Sequence, residues 1–127
     1  HGLWSEQQDN MIETAHARDP RLGLPCFSLY ADRREPTPAM LDGLDLLVVD
    51  LQDVGTRVYT YVWTLLLVMR ACAAHRVPVL VLDRPNPLGG EVVEGPRLDP
   101  SQTSFVGLLS IPMRHARSLS CSSGVIL

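Results

Sequence analysis

The sequence predicts an α/β fold with a Rossmann-like, mostly parallel sheet and flanking helices. Three observations carry that expectation. Two aliphatic runs, residues 44–50 (LDLLVVD) and 77–83 (VPVLVLD), have the composition of parallel strands buried on both faces, and each ends on an aspartate. A helical pattern joins them, with Tyr61, Leu65, Val68 and Cys72 recurring at three- and four-residue intervals. Strand, long helix and strand within about forty residues define a βαβ unit, for which a right-handed crossover is the rule.

The remaining elements can be taken in chain order. Residues 5–14 are polar with little apolar periodicity and read as a loop or a short surface helix. Asp19-Pro20 and Gly23-Leu24-Pro25 punctuate a turn. Residues 26–30 alternate and carry Phe27 and Tyr30, as a short strand does. Residues 36–41 read as a short helix, with Thr37 as its cap and Pro38 in the first position, where a missing N–H costs nothing.

After the first aliphatic run, residues 53–56 (DVGT) turn the chain, with Asp53 or Thr56 placed to cap a helix predicted over 57–75. Arg70, His75 and Arg76 put positive charge near the C-terminal end of that helix, where it is favourable. Residues 84–90 (RPNPLGG) exclude helix and strand interior. They form a loop at the C-terminal end of a strand, where open α/β folds place ligand sites. A short extended piece is expected at 91–95 and a weak strand at 104–108, while Ile111-Pro112 is expected to break any regular element beyond it.

Composition narrows the function classes. The chain has 127 residues, enough for one domain, is 46% hydrophobic, and carries eleven arginines against fourteen acids with no lysine. A net charge of -3 gives no electrostatic footprint for a nucleic acid or a membrane surface. No apolar run approaches the roughly 18 residues of a membrane span. Cys26, Cys72 and Cys121 are too few and too scattered for a disulfide framework, and the four histidines lack metal-ligand spacing. Cys26 and Cys72 read as small buried hydrophobes. There is no P-loop lysine, no glycine-rich strand-to-helix turn and no serine nucleophile elbow.

What remains is carboxylate chemistry. If the two strands are neighbours, Asp50 and Asp83 meet at one sheet edge, roughly 5–10 Å apart given the interstrand spacing. Glycoside hydrolysis uses two carboxylates at such range, one to protonate the leaving oxygen and one to attack or to activate water. Asp53 adds a third on the same rim, and Glu94 reaches it from the following loop. Each aspartate has a plainer use as a helix cap or turn former, and spacing alone does not separate the two. Arg57, Tyr59, Tyr61 and Trp63 form either a sugar-stacking wall or helix–sheet core.

Taken in order, residues 1–4 (HGLW), 37–41 (TPAML), 50–61 (DLQDVGTRVYTY), 82–90 (LDRPNPLGG), 93–96 (VEGP) and 104–108 (SFVGL) resemble the NamZ-type exo-β-N-acetylmuramidases. The resemblance runs from residue 1 to about His115. It implies an exo-acting glycosidase that removes N-acetylmuramic acid from the non-reducing end of peptidoglycan fragments, without a cofactor. It also implies a Rossmann-like catalytic domain followed by an auxiliary domain, with the site between them, and a periplasmic or secreted location for the intact protein. On this reading residues 1–115 are a partial catalytic domain, 116–127 a divergent tail, and the auxiliary domain is absent.

The resemblance makes the Glu of the Pro-Glu that precedes His-Gly in the family a leading catalytic acid, and with that Glu missing no general acid is assigned here; if catalysis survives, Asp53 or Glu94 carries it. His1, Asp50, Arg57, Tyr59, Asp83, Arg84, Asn86, Arg114 and His115 become the contacts for a MurNAc-GlcNAc-type saccharide. Arg84 has two candidate partners, a sheet-edge carboxylate or the lactyl carboxylate of muramic acid, the second slightly favoured. The sequence also departs from the family pattern. The Pro-Glu that precedes the His-Gly in the family is missing, and no Glu follows Glu94. The rival expectations are therefore a sugar-binding α/β remnant without turnover, or a truncated product whose apolar strand faces lie uncovered.

Overall fold

The computed structural model describes residues 13–115. His1, most of the 5–14 segment, the 116–127 tail and Cys121 lie outside the described residues. The described chain opens with an antiparallel hairpin of β1 (Ala17–Arg18) and β2 (Pro25–Cys26). Asp19 builds its turn, its carboxylate accepting from the N–H groups of Arg21 and Leu22. The strand expected over 26–30 ends at Cys26. Beyond it, side chains take the backbone donors that a neighbouring strand would have taken: Ser28 N–H donates to His16 Nδ1 and Tyr30 N–H to Ser28 Oγ.

Helix α1 (Pro38–Leu41) has Thr37 at its N-cap position and Pro38 first, as expected, although the Thr37 hydroxyl makes no capping bond. Next come β3 (Leu47–Val49), α2 (Tyr61–His75) and β4 (Val79–Val81). The two strands pair in parallel with Val48 opposite Leu80, so the βαβ unit is present. Helix α2 starts later than predicted because residues 56–59 close a turn, Tyr59 N–H donating to Thr56 O. Thr60 then caps the helix, its carbonyl receiving Trp63 and Thr64 N–H, and neither Asp53 nor Thr56 caps it.

One face of α2 makes the core: Val62, Trp63, Leu65, Val68, Ala71 and Cys72 pack with Leu41 and Val49. Cys72 is therefore a buried apolar residue, its thiol pushed up by burial, while Cys26 is half-buried. The strands are not buried on both faces. Val48 is 51% exposed and Leu80 45%, with Leu46 and Leu82 on either side also exposed. Among the described residues the helix covers only the face that carries Val49.

The last part differs most from expectation. The extended piece at 91–95 is β5 (Glu94–Arg97), followed by a 3-10 turn at Pro100–Gln102. Residues 104–108 form no strand but a tight turn, Ser104 and Gly107 exchanging backbone hydrogen bonds. Pro112 does not break the chain. It opens β6 (Pro112–Arg114), antiparallel to β5, in the first strand position, where a proline is tolerated. Of three strand pairs among the described residues, two are antiparallel, so the mostly parallel sheet is not what these residues form. The coarser expectation, a small α/β fold with a parallel pair, stands.

On the outer surface, Arg70 of α2 grips Glu35 with two hydrogen bonds of 2.9 and 2.6 Å. The Arg70 guanidinium holds the Glu35 carboxyl below its ordinary value. A depressed carboxyl stabilises the fold above the ordinary carboxylate range and ceases to do so as pH falls through the folded value. Both partners reach solvent, which keeps the effect small. Glu35→Gln should lower the melting temperature by a few degrees at most near neutral pH and not at all at pH 2, read from thermal scans at the two values.

Candidate active site

Three loops meet at the C-terminal ends of β3 and β4. The first is residues 50–56 after β3, the second 83–90 after β4, and the third is the end of β6 with His115. Gly55 is their junction. It sits at φ +75°, its carbonyl accepts from His115 N–H at 3.0 Å, and its open side lies against the Asn86 amide. Asn86 in turn donates from Nδ2 to His115 O at 3.1 Å and accepts Leu88 N–H on Oδ1 at 2.9 Å. Gln52 ties the first two loops, its Nε2 donating to Asp53 O at 2.7 Å and to Pro85 O at 3.3 Å. A bridge between Thr56 and Arg114 ties the first to β6.

Beneath this junction lies Asp53, 1% exposed, with Oδ1 accepting from Gly55 N–H at 3.1 Å. Its Oδ2 faces His115 Nδ1 at 3.6 Å, and His115 is 4% exposed. The same loops carry two accessible ion pairs. Arg84 donates to Asp50, and Arg114 Nη1 to Glu94 Oε2 at 2.6 Å while its Nη2 reaches Leu88 O. Arg84 thus takes the first of its two candidate partners. Continued one residue past Val49–Val81, the strand register sets Asp50 opposite Leu82, with Asp83 one residue beyond.

Arg57 is directed inward. Its Nη1 donates to Pro96 O at 2.9 Å and Ile111 O at 2.7 Å, bracing the approach to both strands of the β5–β6 pair. Trp63 belongs to the core rather than to a sugar wall, its indole N–H donating to Arg57 O at 2.8 Å. Tyr59 is partly exposed and meets Tyr61 edge-on, ring centroids 4.9 Å apart, while burial raises the Tyr61 phenol above its ordinary value.

Of the residues named from sequence, Asp50, Asp53, Arg57, Arg84, Asn86, Glu94, Arg114 and His115 share this one network of loops. His1 lies outside the described residues. Sequence reasoning missed Gly55 as the junction and Gln52 as a tie. The Gly55 signal was present as a DVG turn, but its partner Asn86 is 31 positions away. A shallow depression lined by Leu41, Asp42, His75 and Arg76 lies at the opposite, N-terminal end of the strand pair and holds none of these residues.

The fold and the site define an α/β domain with its chemistry on the loops that come after a parallel strand pair, where carboxylates, arginines and a histidine converge. Residues 1–121 match the family described as "Exo-beta-N-acetylmuramidase NamZ, N-terminal", and the chain belongs to that family. It is 48% identical over 119 residues to the peptidoglycan beta-N-acetylmuramidase NamZ of Bacillus subtilis, covering 94% of this chain and 28% of that protein. Two crystal structures of DUF1343 family proteins from Bacteroides fragilis are each 43% identical. They superpose with TM-scores of 0.77 over 81% of this chain and 0.71 over 80%. The chain spans only 27% of each of those two chains.

Proposed function

We propose that this chain forms the N-terminal, catalytic part of an exo-acting β-N-acetylmuramidase that releases N-acetylmuramic acid from the non-reducing end of peptidoglycan fragments. One observation carries the reading. Two accessible carboxylate–arginine pairs, Asp50–Arg84 and Glu94–Arg114, and the buried Asp53 and His115 belong to one network of loops tied together after a parallel strand pair. Family membership supplies the reaction class. The β3–α2–β4 unit is then one part of a larger Rossmann-like sheet. A wall polymer as substrate puts the intact protein in the periplasm or outside the cell.

Roles follow from access. Glu94, its side chain 60% exposed, is the carboxylate that meets a saccharide arriving from solvent, and Asp53 is buried. Arg84 and Arg114 each hold a carboxylate already, and the lactyl carboxylate of muramic acid would exchange with one of them. Tyr59 offers a partly exposed ring to a pyranose face.

The test is release of free N-acetylmuramic acid from a MurNAc-GlcNAc disaccharide by the full polypeptide. Release is expected, and Glu94→Gln should lower it by about 10²–10⁴-fold, the usual weight of a general acid or base. Absence of both release and binding with the unaltered protein would overturn the proposal. A second reading, saccharide binding without turnover, has one observation in its favour: both accessible carboxylates are already paired with arginine. Saturable binding with no release selects it.

A further inference from the structure

Four buried polar atoms lack a hydrogen-bond partner among the described residues, Asp53 Oδ2, Arg114 Nε, His115 Nδ1 and His115 Nε2, and three of them belong to the facing Asp53–His115 pair. Leaving such an atom unsatisfied costs about 1–3 kcal/mol, so native structures rarely gather three at one locus. The 3.6 Å between Nδ1 and Oδ2 is too long for a hydrogen bond and short enough for an ion pair. Hydrogen bonds of empty active sites are often long and tighten when substrate binds.

We propose that Asp53 and His115 are a positioning dyad: Asp53 Oδ2 holds the imidazole in the tautomer protonated on Nδ1, and the pair closes to a hydrogen bond when a saccharide occupies the rim. The choice of saccharide rests on the function proposed above. Asp53 Oδ1 is already committed to Gly55 N–H, which leaves Oδ2 for the ring. His115 is fastened through its main chain to both Gly55 and Asn86, so the ring is mounted on the junction of all three loops. The terminal nitrogens of the neighbouring cations are engaged elsewhere, Arg57 Nη1 with the Pro96 and Ile111 carbonyls and Arg114 Nη1 and Nη2 with Glu94 and Leu88 O, while Arg114 Nε is buried without a partner. The carboxylate that faces the ring is that of Asp53. A carboxylate behind an imidazole sets which nitrogen bears the proton and how the ring is turned. Asp53 is then a positioning residue, and Glu94 is the carboxylate that meets the substrate.

Asp53→Asn keeps an oxygen for Gly55 N–H, so the turn survives, and replaces the charged acceptor Oδ2 with an amide N–H donor that cannot receive Nδ1–H. In the full polypeptide its melting temperature should stay within a few degrees of the parent. Its kcat should fall about 10–100-fold, the usual weight of an outer-shell partner, with KM changed less than about threefold. His115→Asn, which retains an N–H near the Nδ1 position, should lose less kcat than His115→Gln, which places its amide near Nε2. The imidazole 15N–1H spectrum should show His115 protonated on Nδ1 in the parent and not in Asp53→Asn. If the parent releases N-acetylmuramic acid and Asp53→Asn matches its kcat, the dyad is wrong while the proposed function stands. If the parent releases nothing, the spectrum still decides, and an Nε2-protonated ring in the parent overturns the dyad.

Discussion

Gly55→Ala should destabilise the fold by about 2–4 kcal/mol, because two penalties fall on one atom. At φ +75° an L side chain is strained wherever it points. The added Cβ would also meet Asn86 Oδ1 at 2.5 Å and Nδ2 at 2.7 Å. A flexible side chain could swing aside, but Asn86 is held at both amide atoms, by His115 O and by Leu88 N–H. Relief therefore requires the loop after β4 or the end of β6 to move. Gly43 provides the control. Its φ is +73°, yet nothing lies within 4 Å of a Cβ there. Gly43→Ala should cost only the backbone strain, about 1–2 kcal/mol. Urea midpoints of the two variants measure the difference, and equal midpoints would remove Gly55 from its place as the junction.

Trp63→Ala should cost about 3–5 kcal/mol, the range for deleting a large buried aromatic. Trp63 is 1% exposed and lies in the cluster that joins α2 to Val49. Its loss also strips the Arg57 carbonyl of the indole N–H at 2.8 Å. Domains of this size hold only about 5–15 kcal/mol in total, so a large share of stability goes with one ring. Trp63→Phe refills most of the volume and gives up the hydrogen bond, for about 1–2 kcal/mol. The effect should reach the site, because residue 57 also braces the β5–β6 approach through its guanidinium. Circular dichroism in urea separates the variants. Equal losses for alanine and phenylalanine would mean that packing contributes little here.

Much of the framework was legible in the sequence because it depends on local pattern. The aliphatic runs at 44–50 and 77–83, with a helical period between them, sufficed for β3, α2 and β4 as a parallel unit. Thr37-Pro38 sufficed for the start of α1. The loop after β4 was marked by its prolines and glycines. The motif pair at 50–61 and 82–90 pointed to the family to which the chain belongs.

Other features depend on what each segment meets in space. The strand segments look alike whether one face is covered or both, so half-exposed Val48 and Leu80 agree with the rival expectation of uncovered strand faces and not with the leading one. Which acid caps, pairs or is buried was equally hidden. Asp50, Asp53 and Asp83 all come after apolar runs, yet Asp50 pairs with Arg84, while Asp53 is buried in the turn at Gly55 and faces His115. Arg57 and Trp63 have the composition of a sugar-binding wall, but their donors go to main-chain carbonyls 6 to 54 residues away. Local periodicity, set by backbone geometry, determined the elements by itself. The partners of charged and polar side chains were decided by tertiary packing, because a buried donor must find an acceptor wherever the folded chain brings one.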